Sequence, residues 1–375
     1  MFMVNYIKRQ LKALILNFYF GFSRLKEIYF LSKIKFVKSL SMPFVFLGFQ
    51  DNKNRGGGLK LQDLKSFLSP TNEYNNLYLL SSSLPYAYKE MIRKAKKSGE
   101  KIIWNQNGIG FPAWAGPNYK KVNQIFKMGI ENADMVVFQS NFAMQSVNDL
   151  VTPIGNINKK VVYNAVDLTL FQPRSSTDRK NKQILVAGSH NNINRVLFAI
   201  EIFALLMDEN FNFELKIAGK IKPADFKRVS NLISAKNISQ NIYFHGQYNR
   251  KEAPSLFSQA DILLHLQPFD PCPTVVLEAM ACGLVIVGPN NGGIPEFLGD
   301  ELIFQLVENE TTYNKYDWGK PEIYAEKIMS LLPMLNTLKI KARERTVEHF
   351  DVRDWIKYHT EIFESKYNFT KLPHR

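Results

Sequence analysis

The chain has 375 residues, 45% of them hydrophobic, with 48 Lys and Arg against 34 Asp and Glu, a formal net charge of +14. With a mean hydropathy of −0.20, this excludes a disordered chain and a polytopic membrane protein, and leaves room for two domains of ordinary size. Two cysteines, Cys272 and Cys282, exclude a disulfide framework; no Cys/His cluster has zinc spacing, and a reducing, cytoplasmic compartment is expected.

Residues 1–41 form a basic, aromatic segment with eight Lys or Arg against one acid, Glu27, which is +7 of the total +14. Its longest charge-free apolar piece, "ALILNFYFGF", has 10 residues, too short for the roughly 20 of a spanning helix. No small-residue cleavage site follows it, which argues against a secretory signal. Such a segment can lie on an anionic membrane surface, here the inner face of the plasma membrane, or pack on the first domain with its basic face in water. A nucleic-acid partner is not expected, because no recognisable binding motif accompanies the basic residues.

From residue 42 to 172 short apolar runs end in polar or Gly-rich turns: "FVFLGF" (44–49), "LYLLSS" (77–82), "KIIW" (101–104), "MVVFQS" (135–140) and "KVVYN" (160–164). Helical stretches, 86–97 and 120–132, lie between them. The polar run "QPRSSTDRKNK" (172–182) reads as a linker. The alternation resumes over 173–350 with "ILVAGS" (184–189), "ELKIAGK" (214–220), "IYFHG" (242–246), "DILLHL" (261–266), "LVIVGP" (284–289) and "LIFQL" (302–306), separated by helices such as 195–208 and 253–259. Continuous apolar strands alternating with helices predict parallel sheets covered on both faces. The fold class is therefore α/β, two Rossmann-like, doubly wound domains facing a cleft. The tail 351–375, with "WIKYHTEIFESKY", is a candidate to cross back to the first domain.

In such sheets ligands bind at the carboxyl ends of strands. After "DILLHL", the stretch "PFDPCPTVVLEAMACG" (268–283) places Pro273 at the first position of a helix. The amides of Thr274, Val275 and Val276 would then point out of a helix end that suits a phosphate. Glu278 lies one turn deeper on the same face, where a carboxylate can accept hydrogen bonds from ribose hydroxyls. The alternative is a structural helix in which Glu278 has a buried partner. In "AGSHNNINRVLFAIE", Arg195 falls in a first helical turn, where a bound anion would reverse the unfavourable sign of the dipole. Gly56, Gly57 and Gly58 permit close approach to a ligand or a merely flexible loop. Gln106 and Asn107, after a buried strand, are expected to face the cleft and bind sugar hydroxyls, with Trp104 or Trp114 stacking on a ring. Gly292 and Gly293 in "NNGGIPEFL" offer amides to the same ligand, and Glu296 either caps a helix or binds. No histidine has metal spacing and no Asp-x-Asp occurs, so neither metal nor other cofactor is expected.

The stretch "HLQPFDPCPTVVLEAMACGLVIVGPNNGGIPEFLGD" (265–300) resembles the donor-binding signature of family 4 glycosyltransferases, retaining enzymes of the GT-B fold. That signature has two glutamates separated by seven residues; here Asp270 stands at the first position and Glu278 at the second. "PCPTVV" replaces the usual glycine-rich stretch, as in a subgroup with a similar Asp-Pro-Cys-Pro segment. The similarity extends through "ADMVVFQSNFAMQSV", "KKVVYNAVDLTLFQP" and "IIWNQNGIGFPAWAGP", with residues 1–41 outside it. It implies sugar transfer from a nucleotide-sugar to a glycan or lipid-linked acceptor with retained configuration and without a metal. It further implies that Asp270 contacts the donor sugar, Glu278 the ribose and the intervening amides the diphosphate. An Arg and a Lys usually neutralise the leaving group; Ser189 and Asn194 stand near those positions, leaving Arg195, with His190 or Lys220 as the second candidate. The rivals are a binding-only GT-B protein and a nucleotide-sugar epimerase of the same architecture. A dinucleotide oxidoreductase is disfavoured by the lack of GxGxxG after any strand.

Overall fold

The structure is a computed structural model that describes residues 20–36, 45–47, 56–68, 71, 73–174, 181–209 and 212–365. Twelve strands are numbered in chain order. Lys35–Phe36 (β1) and Glu73–Tyr74 (β3) form a small parallel pair. Val45–Phe46 (β2), Asn76–Leu80 (β4), Lys101–Gln106 (β5), Met135–Phe138 (β6) and Lys159–Val161 (β7) form a parallel sheet in the order β2-β4-β5-β6-β7. Lys182–Ala187 (β8), Phe213–Ala218 (β9), Ile242–Gly246 (β10), Ile262–Leu264 (β11) and Val285–Val287 (β12) form a second one, ordered β10-β9-β8-β11-β12. Every pairing is parallel. The inner strands β4, β5, β6, β8 and β11 are buried on both faces because helices cover both, which is why they read as unbroken apolar runs, whereas the edge strand β10 exposes Tyr243 and Phe244.

One expected strand is absent. Residues 303–305 of "LIFQL" form a 3-10 turn, and the Gln305 side chain accepts a hydrogen bond of 3.0 Å from the Ile286 amide. A side chain thus satisfies the outer edge of β12 where a ladder was expected. Gly56–Gly58 also differ: they begin the helix Gly56–Phe67 rather than a loop. Residues 48–55 and most of the polar run 172–182 lie outside the described residues.

The helix over residues 20–33 packs on the helix Tyr88–Ser98. Leu31 and Ile34 are buried, the Ala87 amide donates to Glu27 Oε2 at 2.7 Å, and Lys94 Nζ donates to the Leu31 carbonyl at 2.6 Å. Its outer ridge is uncovered: Phe22, Leu25 and Tyr29 are 63%, 66% and 59% exposed. No described helix is long and apolar enough to cross a membrane.

At the other end, the helix Val352–Glu364 starts at an Asp351 cap, whose carboxylate accepts from the Arg353 amide at 2.9 Å. Trp355, Ile362 and Phe363 join Leu61, Leu64, Tyr78 and Ile103 in one core with the first sheet. Lys101 Nζ donates to the Ser365 carbonyl at 3.0 Å and to its hydroxyl at 2.7 Å. The helix Val352–Glu364 therefore packs on the first domain, although the helices Pro321–Leu331 and Leu335–His349 pack on the second sheet. Phe363→Ala is expected to destabilise the protein by about 3–5 kcal/mol, read as a lower denaturant midpoint of the first domain's unfolding; an unchanged midpoint would show that the helix contributes nothing to that core.

Candidate functional site

The strand order of the second sheet reverses between β8 and β11. At such a reversal the loops leaving adjacent strands diverge and open a crevice. The loop after β8 carries Arg195, at the start of the helix Asn194–Asp208, and the loop after β11 carries Asp270. From the first sheet, Ser81 and Ser82 follow β4, Asn107 follows β5, and Gln139 and Phe142 follow β6. All of these line one cleft of about 1230 Å³ between the domains. Its described lining holds the cations Lys60, Arg195, Lys222 and Arg228 against the carboxylates of Asp225 and Asp270, a balance that favours an anionic ligand.

The Asp270 loop is held by force from three sides. Phe269 adopts φ +53, a left-handed conformation that costs a bulky residue roughly 1–2 kcal/mol. Its amide donates to Asn291 Oδ1 at 2.9 Å, and its ring packs on Phe142, Phe111 and Tyr313 at 5.6, 5.7 and 5.0 Å. Behind it, a Cβ on Gly292 or Gly293 would lie 2.7 Å from the Asp270 carbonyl or 2.1 Å from the Pro271 carbonyl. Those glycines are required by close packing.

Gly292 and Gly293 accordingly do not face the ligand. The Gly293 amide donates to the Asp270 carbonyl at 2.9 Å, and neither glycine lines the cleft. They brace the acidic loop. A second correction concerns the helix Thr274–Ala281: Pro273 is its N-cap, with ψ 110, not its first helical residue. The Pro273 carbonyl accepts the Val276 amide at 3.1 Å, and Val276 is fully buried. Only Thr274 and Val275 carry unpaired amides at the cleft, and both line it beside Pro273.

Arg195 is 8% exposed, and its guanidinium donates to the Ser189 carbonyl while Nε has no partner. Burial lowers its proton affinity, which Asp270 and Tyr316 partly restore. The Asp270 carboxyl is pushed up to about 6 by burial, against the Cys272 amide, Arg195 and Lys60. His265 Nε2 lies 3.8 Å from Asp270 Oδ2 and is otherwise unpartnered. Burial and the Arg195 charge draw His265 down to about 3, so it is neutral at physiological pH.

Glu278 lies one turn beyond Thr274, as its spacing requires, but the two open onto a side pocket of about 50 Å³ with Lys60, Asp63 and Arg250. Among the described residues its carboxyl makes no hydrogen bond. Burial pushes it up to about 8, opposed by Arg250. Arg250 pairs with Asp63 of the first domain at 2.7 Å.

Three expected cleft residues turn inward. His190 is buried beneath its loop, its Nε2 3.1 Å from the Ala218 carbonyl, and burial followed by Arg195 draws it down to about 4. Gln106 is fully buried, accepting from Trp104 Nε1 at 2.7 Å and donating to the Gly108 carbonyl at 2.9 Å. Adjacent residues on one extended strand point to opposite sides, so Gln106 and Asn107 could not both enter the cleft. Asn107 does, donating through Nδ2 to Ser82 Oγ at 2.6 Å. Trp104 is sealed beneath Gly129, while Trp114 is 60% exposed at the cleft. Lys220 is exposed away from the lining.

Glu296 resolves as a cap, though for a helix of the other domain. Its carboxylate accepts from the Asn141 and Phe142 amides at 2.8 Å each and from the Tyr163 hydroxyl at 2.8 Å. Sequence reasoning missed Lys60, whose only local signal was its place two residues after a glycine run.

Two parallel-sheet α/β domains with their strand ends facing a common cleft make this a GT-B protein. Residues 169–335 match the family model of glycosyl transferases group 1. Among curated proteins, the chain is 28% identical over 238 residues to N-acetyl-alpha-D-glucosaminyl L-malate synthase of Bacillus anthracis, covering 56% of this chain and 61% of the relative. It is 26% identical over 236 residues to the alpha-1,3/1,6-mannosyltransferase ALG2 of Saccharomyces cerevisiae, covering 53% and 46%. The matched region thus spans less than two thirds of these curated relatives' length. Among solved structures, Anabaena HepE, in complex with UDP and glucose, superposes with a TM-score of 0.68 at 16% identity, covering 87% of this chain and 100% of that one. Sucrose-phosphate synthase of Thermosynechococcus elongatus gives 0.62 at 17% identity, covering 82% and 75%. At such identities the structures share the fold.

The Glu278 carboxyl keeps its proton to about 8, against an ordinary value of 4.5. Between these limits the folded state binds more protons than the unfolded one, so this group lowers stability as pH rises through that window. Glu278→Gln removes the loss. In the ligand-free protein the variant is expected to melt above the parent at pH near 8, with the gap closing toward pH 5; a gap independent of pH would show that the carboxyl is not held protonated.

Proposed function

We propose that the chain transfers a sugar from a nucleoside-diphosphate donor to a hydroxyl of a glycan or lipid-linked acceptor, retaining the anomeric configuration and using no metal. The observation that carries the reading is the meeting of Arg195, Asp270 and the two free amides of Thr274 and Val275 in one cleft at the sheet's switch point. The amides and Arg195 suit a diphosphate: the helix end contributes about half a positive charge, and a desolvated guanidinium adds a full one. Asp270, with the neutral His265 behind it, is the group to hold the donor sugar. Glu278, in its side pocket, is placed to accept from ribose hydroxyls. The Asp270–Pro273 segment, in the position of the family's glycine-rich stretch, is consistent with the Asp-Pro-Cys-Pro subgroup.

The step breaks the bond between the anomeric carbon and the phosphate oxygen. The acceptor oxygen bonds to that carbon on the same face, and its proton passes to the departing phosphate. The leaving group thus serves as base, and Arg195 with the helix end takes up its charge. The activities named for the two curated relatives, an N-acetylglucosaminyl and a mannosyl transfer, support sugar transfer. The HepE complex with UDP makes uridine diphosphate the first donor base to test.

On the acceptor side, Trp114 and Tyr313 line the cleft with Asn107 and Ser82. The exposed Phe22, Leu25 and Tyr29, with Lys26 and Lys33 on the same helix, support peripheral contact with an anionic membrane, where a lipid-linked acceptor would be found.

Purified protein incubated with UDP-, GDP- and ADP-sugars and a glycan acceptor should release nucleoside diphosphate and form a product of retained configuration by NMR. Asp270→Asn and Arg195→Ala should each lower kcat by about 10²–10³-fold, and Glu278→Ala should chiefly raise KM. Unaltered nucleotide affinity in both Arg195→Ala and Glu278→Ala would sink the assignment. Epimerised donor without acceptor would replace it with an epimerase. Separately, the protein should co-sediment with phosphatidylglycerol vesicles, less at high salt, and the triple change Phe22→Ser, Leu25→Ser, Tyr29→Ser should weaken this at least about tenfold; equal sedimentation of the two proteins would exclude this ridge as the contact.

A further inference from the structure

The donor site described above has one buried cation from its own domain, Arg195, facing a ligand whose diphosphate carries more than one negative charge. The position of Lys60 answers that mismatch. It stands on the helix Gly56–Phe67 of the first domain, and it lines both the main cleft and the side pocket beneath Glu278. The residue is 9% exposed, and among the described residues its ammonium makes no hydrogen bond or ion pair. Its charge acts on Asp270 and Cys272, residues of the acidic loop in the other domain.

A buried ammonium without a partner is costly unless something occasional supplies the partner. Burial draws Lys60 down to about 8, with Cys272 and Asp270 opposing. Four further groups lining the same cleft have hydrogen-bonding capacity to spare. Arg195 Nε and His265 Nε2 are buried and unpartnered, and the Thr274 and Val275 amides are free. Lys222 and Arg228 also line the cleft, but on the helix Pro223–Ala235 and the loop before it, with Asp225 among them. Lys60 alone among these cations belongs to the first domain.

We propose that Lys60 is the second cation of the donor site: it binds the diphosphate of the nucleotide from across the cleft, opposite Arg195 and the helix start at Thr274. The assignment rests on the donor-site reading given above and adds a consequence. Since Lys60 and Thr274 belong to different domains, full neutralisation of the leaving group requires both domains together. Charge stabilisation of the leaving group is thereby coupled to closure of the cleft.

The test compares wild type, Lys60→Met and Lys60→Arg in calorimetric and thermal-shift titrations with UDP, GDP, ADP and the corresponding nucleosides. Wild type should bind at least one of the diphosphates. Lys60→Met should bind that diphosphate about tenfold or more weakly, the loss expected of one charge-assisted hydrogen bond, with nucleoside binding unchanged. Lys60→Arg should recover most of the loss. Without ligand, Lys60→Met should melt no lower than wild type, because a desolvated charge has been removed; a structural lysine would give the reverse. Equal diphosphate affinity in wild type and Lys60→Met overturns the assignment while leaving the donor site standing. A loss shared equally by nucleoside and diphosphate, or a lower melting temperature that Lys60→Arg does not restore, overturns it also. Failure of wild type to bind any of the three diphosphates overturns the donor-site reading itself.

Discussion

A buried guanidinium and a partly buried carboxylate share one cleft, and the remainder of the site is arranged around that fact. Asp270 and Arg195 each lose hydration there, and neither recovers it fully from protein partners. The Asp270 carboxyl is held up by burial even with Arg195 and Lys60 near it, and Arg195 keeps an unpartnered Nε. Desolvated groups with spare hydrogen-bonding capacity are poorly satisfied by themselves but strongly attractive to a ligand that brings both hydroxyls and phosphate oxygens. The left-handed Phe269 and the close approach of Gly292 and Gly293 hold the acid in place and oppose its relaxation into solvent.

Contacts between the domains combine specific polar pairs with aromatic packing of Phe269 and Tyr313 on Phe111. Glu296 caps the helix Asn141–Leu150, Asn164 Nδ2 donates to the Cys272 carbonyl at 2.5 Å, and Asp63 pairs with Arg250. Partly hydrated polar contacts of this kind separate at lower cost than an apolar core does. The Val352–Glu364 helix is different, since it buries Trp355, Ile362 and Phe363 against the first sheet. It ties residues 352–364 firmly to one domain. This division of labour suits the proposed transfer, in which a donor and an acceptor are admitted and water is then excluded.

The amphipathic helix over residues 20–33 shows that two readings of a basic aromatic segment need not compete. One face, through Leu31, Glu27 and the Lys94 contacts, belongs to the first domain. The opposite ridge presents three large apolar side chains interleaved with lysines.

By itself the sequence determined the parallel α/β character of both sheets, a helix after β11 placed to within one residue of its start, and the placing of Glu278 one turn below Thr274. Unbroken apolar runs, a proline and a four-residue spacing are local signals with local causes. The tertiary structure alone decided which groups line the cleft. Gln106 and His190 are polar residues at strand ends, where a ligand contact was expected, yet each is turned inward because a nearby Trp104 amine or Ala218 carbonyl needs its hydrogen bond. Gly292 and Gly293 brace a strained loop because backbone from elsewhere in the chain passes within van der Waals range of them. Lys60 is unremarkable in its own helix and acquires meaning only because the domains bring it opposite Asp270, more than two hundred residues away in sequence. Secondary structure follows from neighbours in the chain, whereas charge, burial and access depend on neighbours in space.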